Sequence, residues 1–375
     1  MKITLVGTAY PFRGGLAVFN ERLIQQLKDE GNEVKIYTFT TQYPSILFPG
    51  KTQYSKSENK SDYTIERVLS SVNPLTWIRL GNKIRKEAPD ILLTRYWQPF
   101  FAPCLATVAH LAKQNGKTKV ITLIDNMIPH ETKPWDTPLS RIFVRNVDAF
   151  LTMSQKVLDD VNRFDKHKPK ALSPHPLFDT FGKQINHTQA QQKIALDPNN
   201  INIMFFGLIR EYKGLDLLLD AMRDPRLKEY PIKLLVAGEF YDSREKYFEK
   251  VVANHLENIV RFCDWFIKDE DVKYYFCSTD LVCLPYKSAT QSGVTQIAFH
   301  FNKPMLVTDV GGLKEIVKDG LCGYVVKPDT KSIADALLDF CTNRPDFTLS
   351  LKEEKKKYGW DIMTKAIMDL YQKVK

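Results

Sequence analysis

An apolar run, a glycine turn and a helical period follow one another twice in this chain, once from residue 2 and once from residue 201. This succession constrains the fold most, because a short buried strand feeding a helix through glycine is the building unit of a parallel sheet covered on both faces. In the second copy the run from Ile203 ends at Gly207, Arg210 and Lys213 follow, and Gly214 opens an amphipathic helix. Glycines let backbone N–H groups approach an anion, and a helix N-terminus adds partial positive charge. Lys213 and Arg210 supply full charges where a departing phosphate gains negative charge. The segment therefore reads as a diphosphate site, although an ordinary strand–loop–helix with two surface cations has the same local pattern. In the first copy, strand 2–7 leads through Arg13, Gly14 and Gly15 to Leu16, Phe19, Leu23, Ile24 and Leu27 at helical spacing.

The spacing predicts further strands at 34–39, 90–94 and 119–124, and, in the second half, at 201–206, 232–237, 259–262, 280–284, 304–308 and 323–326. Strands alternating with helices imply an α/β fold, and 375 residues are long enough for two such domains. Between the halves, the Pro-flanked His175 and the polar, Gln-rich stretch from Gly182 to Asn200 carry no apolar period. This places a first Rossmann-like domain at 1–182 and a second at 183–358, with an amphipathic tail, 359–375, expected to return to the first. Ligands of open parallel sheets sit beyond the strand carboxyl ends, so the two sheets are expected to face each other across a cleft.

The charge is unevenly distributed. Residues 1–185 hold 26 Lys+Arg against 17 Asp+Glu, whereas residues 186–375 hold 27 of each. A basic first half suits an anionic partner such as a lipid surface or a lipid-linked phosphate, with plain solvated charge as the alternative. Leu75, Trp77, Ile78, Leu80 and Ile84 interleave with Arg79, Lys83, Arg85 and Lys86, which fits either a membrane-facing helix or a core helix with a basic outer side. The loop from Tyr43 to Gly50 adds apolar residues that suit contact with a lipid tail or burial under the sheet. Dispersed positive charge without a recognised motif argues against nucleic acid. The six cysteines form no CxxC pair, so neither disulfides nor a zinc site are expected. No secretory signal and no membrane-length apolar run are visible, which points to the cytoplasm, with peripheral attachment to the inner membrane face as an extension.

The pattern Phe206–Leu218, followed by Val236–Glu239, Asp280–Tyr286 and Val310–Ile316, resembles the donor domain of family 4 glycosyltransferases. Arg13, Gly14 and Gly15 resemble that family's N-terminal glycine loop, and Asp125–Glu131 its acceptor-side loop. The resemblance implies a GT-B fold, with an acceptor-binding first domain and a donor-binding second domain. It also implies transfer of a hexosyl unit with retention from a nucleotide-sugar donor, UDP- or GDP-linked, and usually without a bound metal. The acceptor would be a glycan or lipid-linked molecule of surface polysaccharide or glycolipid synthesis.

On this reading Lys213 and Arg210 meet the departing diphosphate, with Gly207 and Gly214 shaping the turn and Gly14 and Gly15 forming a second electropositive cap. His130 orients or deprotonates the acceptor hydroxyl, helped by Asp125 or Glu131. Glu239 and Glu315 face the donor. The family's paired glutamates are replaced around Gln291, Ser292, Gly293 and Gln296, whose amides and hydroxyl can still bond sugar hydroxyls. The usual arginine after the donor-strand glycine is Leu208 here, leaving Arg210 to act from a different position. Asp269 and Asp271 match a metal-binding DxD in form, but they precede a helical apolar pattern and read as its acidic first turn. Two alternatives share the fold: a catalytically inactive binding module, which the missing glutamates favour, and a nucleotide-sugar epimerase. A dinucleotide oxidoreductase is disfavoured, because neither half has a GxGxxG after its first strand.

Overall fold

The computed structural model describes residues 1–44, 53–55, 62–129, 133–289 and 292–375. The chain divides into two compact units, Met1–His175 with Gly359–Lys375, and Pro176–Tyr358.

The first unit begins β1 (Lys2–Val6), α1 (Gly15–Asp29), β2 (Glu33–Thr41), β3 (Thr64–Ser70), α2 (Pro74–Glu87) and β4 (Ile91–Tyr96). It continues α3 (Ala102–Lys113), β5 (Lys119–Ile124), α4 (Asp136–Arg145), β6 (Ala149–Thr152), α5 (Gln155–Phe164) and β7 (Lys170–Leu172). The strands form a parallel seven-stranded sheet in the order β3-β2-β1-β4-β5-β6-β7. Its central strands are apolar and buried, as two-sided cover by helices requires.

The second unit begins α6 (His187–Lys193), β8 (Ile201–Phe206), α7 (Leu215–Ala221), β9 (Ile232–Ala237), α8 (Glu245–Ala253), β10 (Val260–Cys263) and α9 (Val272–Cys277). It continues β11 (Leu281–Leu284), α10 (Gly293–His300), β12 (Met305–Thr308), α11 (Leu313–Ile316), β13 (Gly323–Val326), α12 (Thr330–Asn343) and α13 (Thr348–Glu354). Its six strands are parallel in the order β10-β9-β8-β11-β12-β13.

The last helix, α14 (Trp360–Val374), packs on α1 and on β5, β6 and β7 of the first unit. Met363, Ile367 and Leu370 are buried there, each contributing on the order of 2 kcal/mol. Trp360 lies 5.0 Å from the Phe19 ring, with the Arg22 guanidinium 5.1 Å above its own.

Three strands of the first sheet were not expected from the sequence. β3 is an edge strand whose apolar residues are interrupted by Glu66 and Arg67, while β6 and β7 are too short to show a period. The boundary between units also falls earlier than the expected 182/183, at His175/Pro176. The reason is packing within the second unit. Phe178 and Phe181 lie 5.8 Å apart, and a Cβ on Gly293 would come within 2.7 Å of the Phe178 ring. Among the described residues no helix is long and apolar enough to cross a membrane.

Candidate active site

In the second unit β8 is buried throughout and stops at Gly207, where φ is +103°. The N–H of Gly207 donates to Ala237 O at 2.9 Å, and a Cβ on Gly238 would lie 1.9 Å from Gly207 O. Glycine at 238 is thus what lets the ends of β8 and β9 lie together. A 3-10 turn, Glu211–Lys213, follows, with Lys213 N–H donating to Arg210 O at 2.9 Å. Gly214 then takes φ +68°, and a Cβ there would lie 1.9 Å from Pro285 O. Only glycine allows the turn to rest on the chain leaving β11.

That turn sends the Lys213 side chain back to the strand end. A Cβ on Gly207 would sit 3.3 Å from the Lys213 ammonium and 3.5 Å from Val294 in α10. The ammonium lies 5.6 Å from the centre of the Tyr286 ring, whose hydroxyl shares a 3.1 Å hydrogen bond with Ser292 Oγ. Lys213, Gly207, Tyr286, Ser292 and the first turn of α10 therefore converge. Lys213 is only 9 % exposed and has no carboxylate partner among the described residues. Burial, and then the nearby Arg210 charge, push its pKa down to about 8. A buried ammonium without a counter-ion is costly, and an anion delivered to it relieves that cost.

The other expected donor-side residues are placed as follows. Arg210 is exposed, with its guanidinium 5.1 Å from the Tyr241 ring centre. Glu239 is buried, and its backbone carbonyl accepts from Ile209 N–H at 2.8 Å. Gln296 is wholly buried in α10, with neither amide atom hydrogen-bonded among the described residues. Glu315 is exposed in the first turn of α11 and forms no hydrogen bond or ion pair among them. Gly311, at φ +52°, lies so close to Ala289 O that a Cβ would be 1.6 Å from it, which brings the turn before α11 against the segment leading to α10. Gln291 lies outside the described residues, as do His130 and Glu131. Asp271 occupies the N-cap position of α9, and among the described residues no three His, Cys, Asp or Glu side chains group to hold a metal ion.

In the first unit α1 starts at Gly15, with Gly14 as its N-cap at φ +98°. A Cβ on Gly14 would meet nothing within 4 Å. Asp125, the residue after β5, is 6 % exposed, and its partner is not one named from the sequence. Arg95 Nε and Nη2 donate to its two carboxylate oxygens at 2.7 and 2.8 Å. Arg95 Nη1 donates to Asn20 Oδ1 at 3.0 Å, and Asn20 Nδ2 to Thr8 O at 2.8 Å. Asp125 is thus held in a bidentate ion pair with Arg95, while His130, the residue it was expected to assist, lies outside the described residues.

Arg95, Asn20 and Tyr286 were not singled out from sequence. A signal existed for two of them: Arg95 is a charge near the end of a buried strand, and Asn20 interrupts the apolar stripe of α1.

Parallel sheets with an electropositive turn at their strand ends define a class of α/β enzyme that handles phosphorylated ligands. Two family models match the chain, "Glycosyltransferase Family 4" over residues 13–172 and "Glycosyl transferases group 1" over residues 200–343. An uncharacterised glycosyltransferase of Methanocaldococcus jannaschii is 22 % identical, covering 100 % of this chain and 99 % of its own. The N-acetyl-alpha-D-glucosaminyl L-malate synthase of Bacillus anthracis is 24 % identical, covering 89 % and 86 %. Among solved structures, sucrose-phosphate synthase from Thermosynechococcus elongatus superposes with a TM-score of 0.75 at 16 % identity, covering 100 % and 99 %. Anabaena HepE in complex with UDP-glucose superposes with a TM-score of 0.71 at 14 % identity, covering 99 % and 100 %. The chain belongs to the group 1, family 4 glycosyltransferases of GT-B fold. It is a retaining glycosyltransferase that uses a nucleotide sugar.

Proposed function

We propose that the chain moves a hexosyl unit from a UDP- or GDP-sugar to a glycan or lipid-linked acceptor in surface polysaccharide or glycolipid synthesis. The observation that carries this reading is Lys213, a buried ammonium without a carboxylate partner among the described residues, held beside Gly207 and the start of α10. The departing diphosphate gains charge as the glycosyl bond breaks, and a preorganised cation in a dry site lowers that barrier most. Gly207, Gly214 and the Ser292–Gly293 helix start supply backbone groups to the diphosphate, with Arg210 as an outer cation and Gly14 and Gly15 as a second cap. Glu239, Gln291, Gln296 and Glu315 are the candidates for ribose and donor-sugar hydroxyls. The acceptor oxygen attacks on the leaving-group face and the diphosphate oxygen takes its proton, so no enzyme nucleophile is required. A UDP-linked donor is supported by HepE, solved with UDP-glucose, and the acceptor class by a lipopolysaccharide outer core galactosyltransferase of similar fold (TM-score 0.72, 12 % identity).

The membrane side of this proposal rests on α2 and α4, which both pack on α3. Leu80 and Ile84 of α2 are core residues, and the Trp77 indole N–H donates to Ser70 O at 2.6 Å, so these three leave the candidate lipid-facing set. Leu75 (61 % exposed) and Ile78 (46 %) remain, with Arg79 and Lys86 exposed beside them. Trp135, at the N-cap of α4, and Ile142 on it are exposed, as are Arg141 and Arg145. Exposed apolar residues within basic surroundings suit peripheral docking on an anionic bilayer.

Thermal-shift titration with UDP, GDP, ADP and their sugars tests the donor reading, since a ligand of the folded state raises the midpoint. One nucleotide diphosphate is expected to bind, and Lys213→Ala to lower sugar-nucleotide turnover by about 10²–10³-fold. The proposal fails if none binds, or if Lys213→Ala binds and turns over as the unaltered chain does.

A further inference from the structure

We infer that Arg95 is a positioning residue: one buried guanidinium locks the glycine loop before α1 and the loop after β5 into a single register. At 4 % exposure, Arg95 commits three donors to two separate segments, Nε and Nη2 to Asp125 and Nη1 to Asn20. Asn20 carries the link onward, because its Nδ2 donates to Thr8 O at the start of the glycine loop. The sequence makes room for that link at Gly7, where a Cβ would come within 2.9 Å of Asn20 Nδ2. On the other side, the Asp125 N–H donates to Tyr96 O at 2.9 Å, so the head of the second loop is tied to β4 through both backbone and side chain.

The guanidinium also lies 4.1 Å over the Phe19 ring. Phe19 meets His175 edge-on at 5.1 Å and Trp360 at 5.0 Å. These two residues stand where the first unit's chain ends and where it resumes. Stability alone is a weak reason to keep such a group, since a buried ion pair roughly breaks even against apolar packing of the same volume. Geometry is the stronger reason: a planar fork with donors on three nitrogens can address a carboxylate and an amide at once, which a lysine cannot.

The functional meaning rests on the proposal above, which makes Gly14 and Gly15 a second electropositive cap, and on the resemblance that sets the loop after β5 on the acceptor side. A misplacement of about 1 Å there is enough to cost roughly 10²-fold in rate.

Amide hydrogen exchange on the full chain tests the inference without needing a substrate, using Arg95→Lys, Arg95→Met and Asn20→Asp. In Arg95→Lys, which keeps a cation beside Asp125 but not the fork, exchange in segments 8–14 and 125–129 is expected to rise together by about tenfold or more while β1, β4, β5 and the second unit stay protected, and in Arg95→Met the same two segments are expected to rise further than β1, β4 and β5 do. Asn20→Asp keeps an oxygen for Arg95 but loses the donor to Thr8 O, so it should loosen segment 8–14 only. UDP binding, followed by thermal shift, should stay within about twofold. With the donor and acceptor that the screen identifies, kcat should fall about tenfold while the donor KM holds.

Unchanged protection of both loops in a folded Arg95 variant overturns the inference. So does a loss of protection spread evenly through the first sheet, the mark of a merely structural role. Because exchange is read without turnover, a wrong donor or acceptor leaves this result intact and shows only in the kinetic arm.

Discussion

Among the described residues, each unit buries one Lys or Arg near the carboxyl ends of its strands, and the two are treated oppositely. Arg95 in the first unit is neutralised by Asp125, further bonded to Asn20 and stacked on Phe19. Lys213 in the second has an aromatic ring and a glycine beside it and no carboxylate among the described residues. The pairing tells the roles apart better than burial does. A cation whose counter-charge is built in has little left to offer a ligand, whereas one buried without it is held at a cost that an incoming anion removes. On the proposed reading, the buried cation serves as a fastening in the first unit and as a receptor in the second.

Removing the charge from each cation should break the symmetry in opposite directions. The larger effect is expected at Arg95. Arg95→Met leaves the buried Asp125 carboxylate unpaired, and the first unit should lose about 3–5 kcal/mol in denaturant unfolding. Adding Asp125→Asn should recover much of that loss, because no bare charge then remains. If the double variant is as unstable as the single one, the guanidinium matters for its packing on Phe19 rather than for its charge.

Lys213→Met should do the reverse and raise the stability of the ligand-free protein. With a folded pKa of about 8 against 10.5 in the unfolded chain, the folded state binds fewer protons between these values, so stability rises with pH across that window. Below pH 8 the ammonium is charged in both states and the penalty is complete, on the order of 3 kcal/mol by the size of the shift. A gain of about 1–3 kcal/mol near neutral pH is therefore expected, allowing for imperfect packing of Met. The advantage over the unaltered chain should vanish as pH approaches 10.5. UDP affinity of the unaltered chain should likewise decline as pH rises through about 8. An unaltered or lower midpoint for Lys213→Met at pH 7 would mean that Lys213 already has its counter-charge in the free protein.

How much of this was legible follows from the range of the interactions. β8 and β9 have the expected bounds, because an unbroken apolar run is a local signal, and the cationic turn lies within seven residues of β8. β3 was hidden, since this edge strand is interrupted by Glu66 and Arg67 and shows no such run. The Arg95–Asp125 pair joins residues thirty apart, side by side only because β4 and β5 are parallel neighbours in register. No spacing rule along the chain reveals that partnership. For α2 the period was readable, but which apolar residues face the core was not, because Leu80 and Ile84 are buried by α3 and the sheet rather than by anything local.

The smallest expected effect concerns the surface that distinguishes the basic unit from the neutral one. If α2 and α4 rest on anionic lipid, Leu75→Glu with Ile78→Glu removes two apolar contacts and places like charge against the headgroups. Neither side chain belongs to the core, so the midpoint should move by less than about 0.5 kcal/mol in stability. Sedimentation with phosphatidylglycerol vesicles should fall several-fold, since each exposed apolar side chain and each nearby charge contributes only on the order of 1 kcal/mol to such binding. Raising salt should weaken the unaltered chain's binding in the same assay, because part of the attraction acts over about a Debye length. Turnover on a water-soluble acceptor should not change. If the charge-reversed variant sediments as well as the unaltered chain does, the excess positive charge of residues 1–185 serves a soluble anionic partner, and α2 is a core helix with a basic outer side.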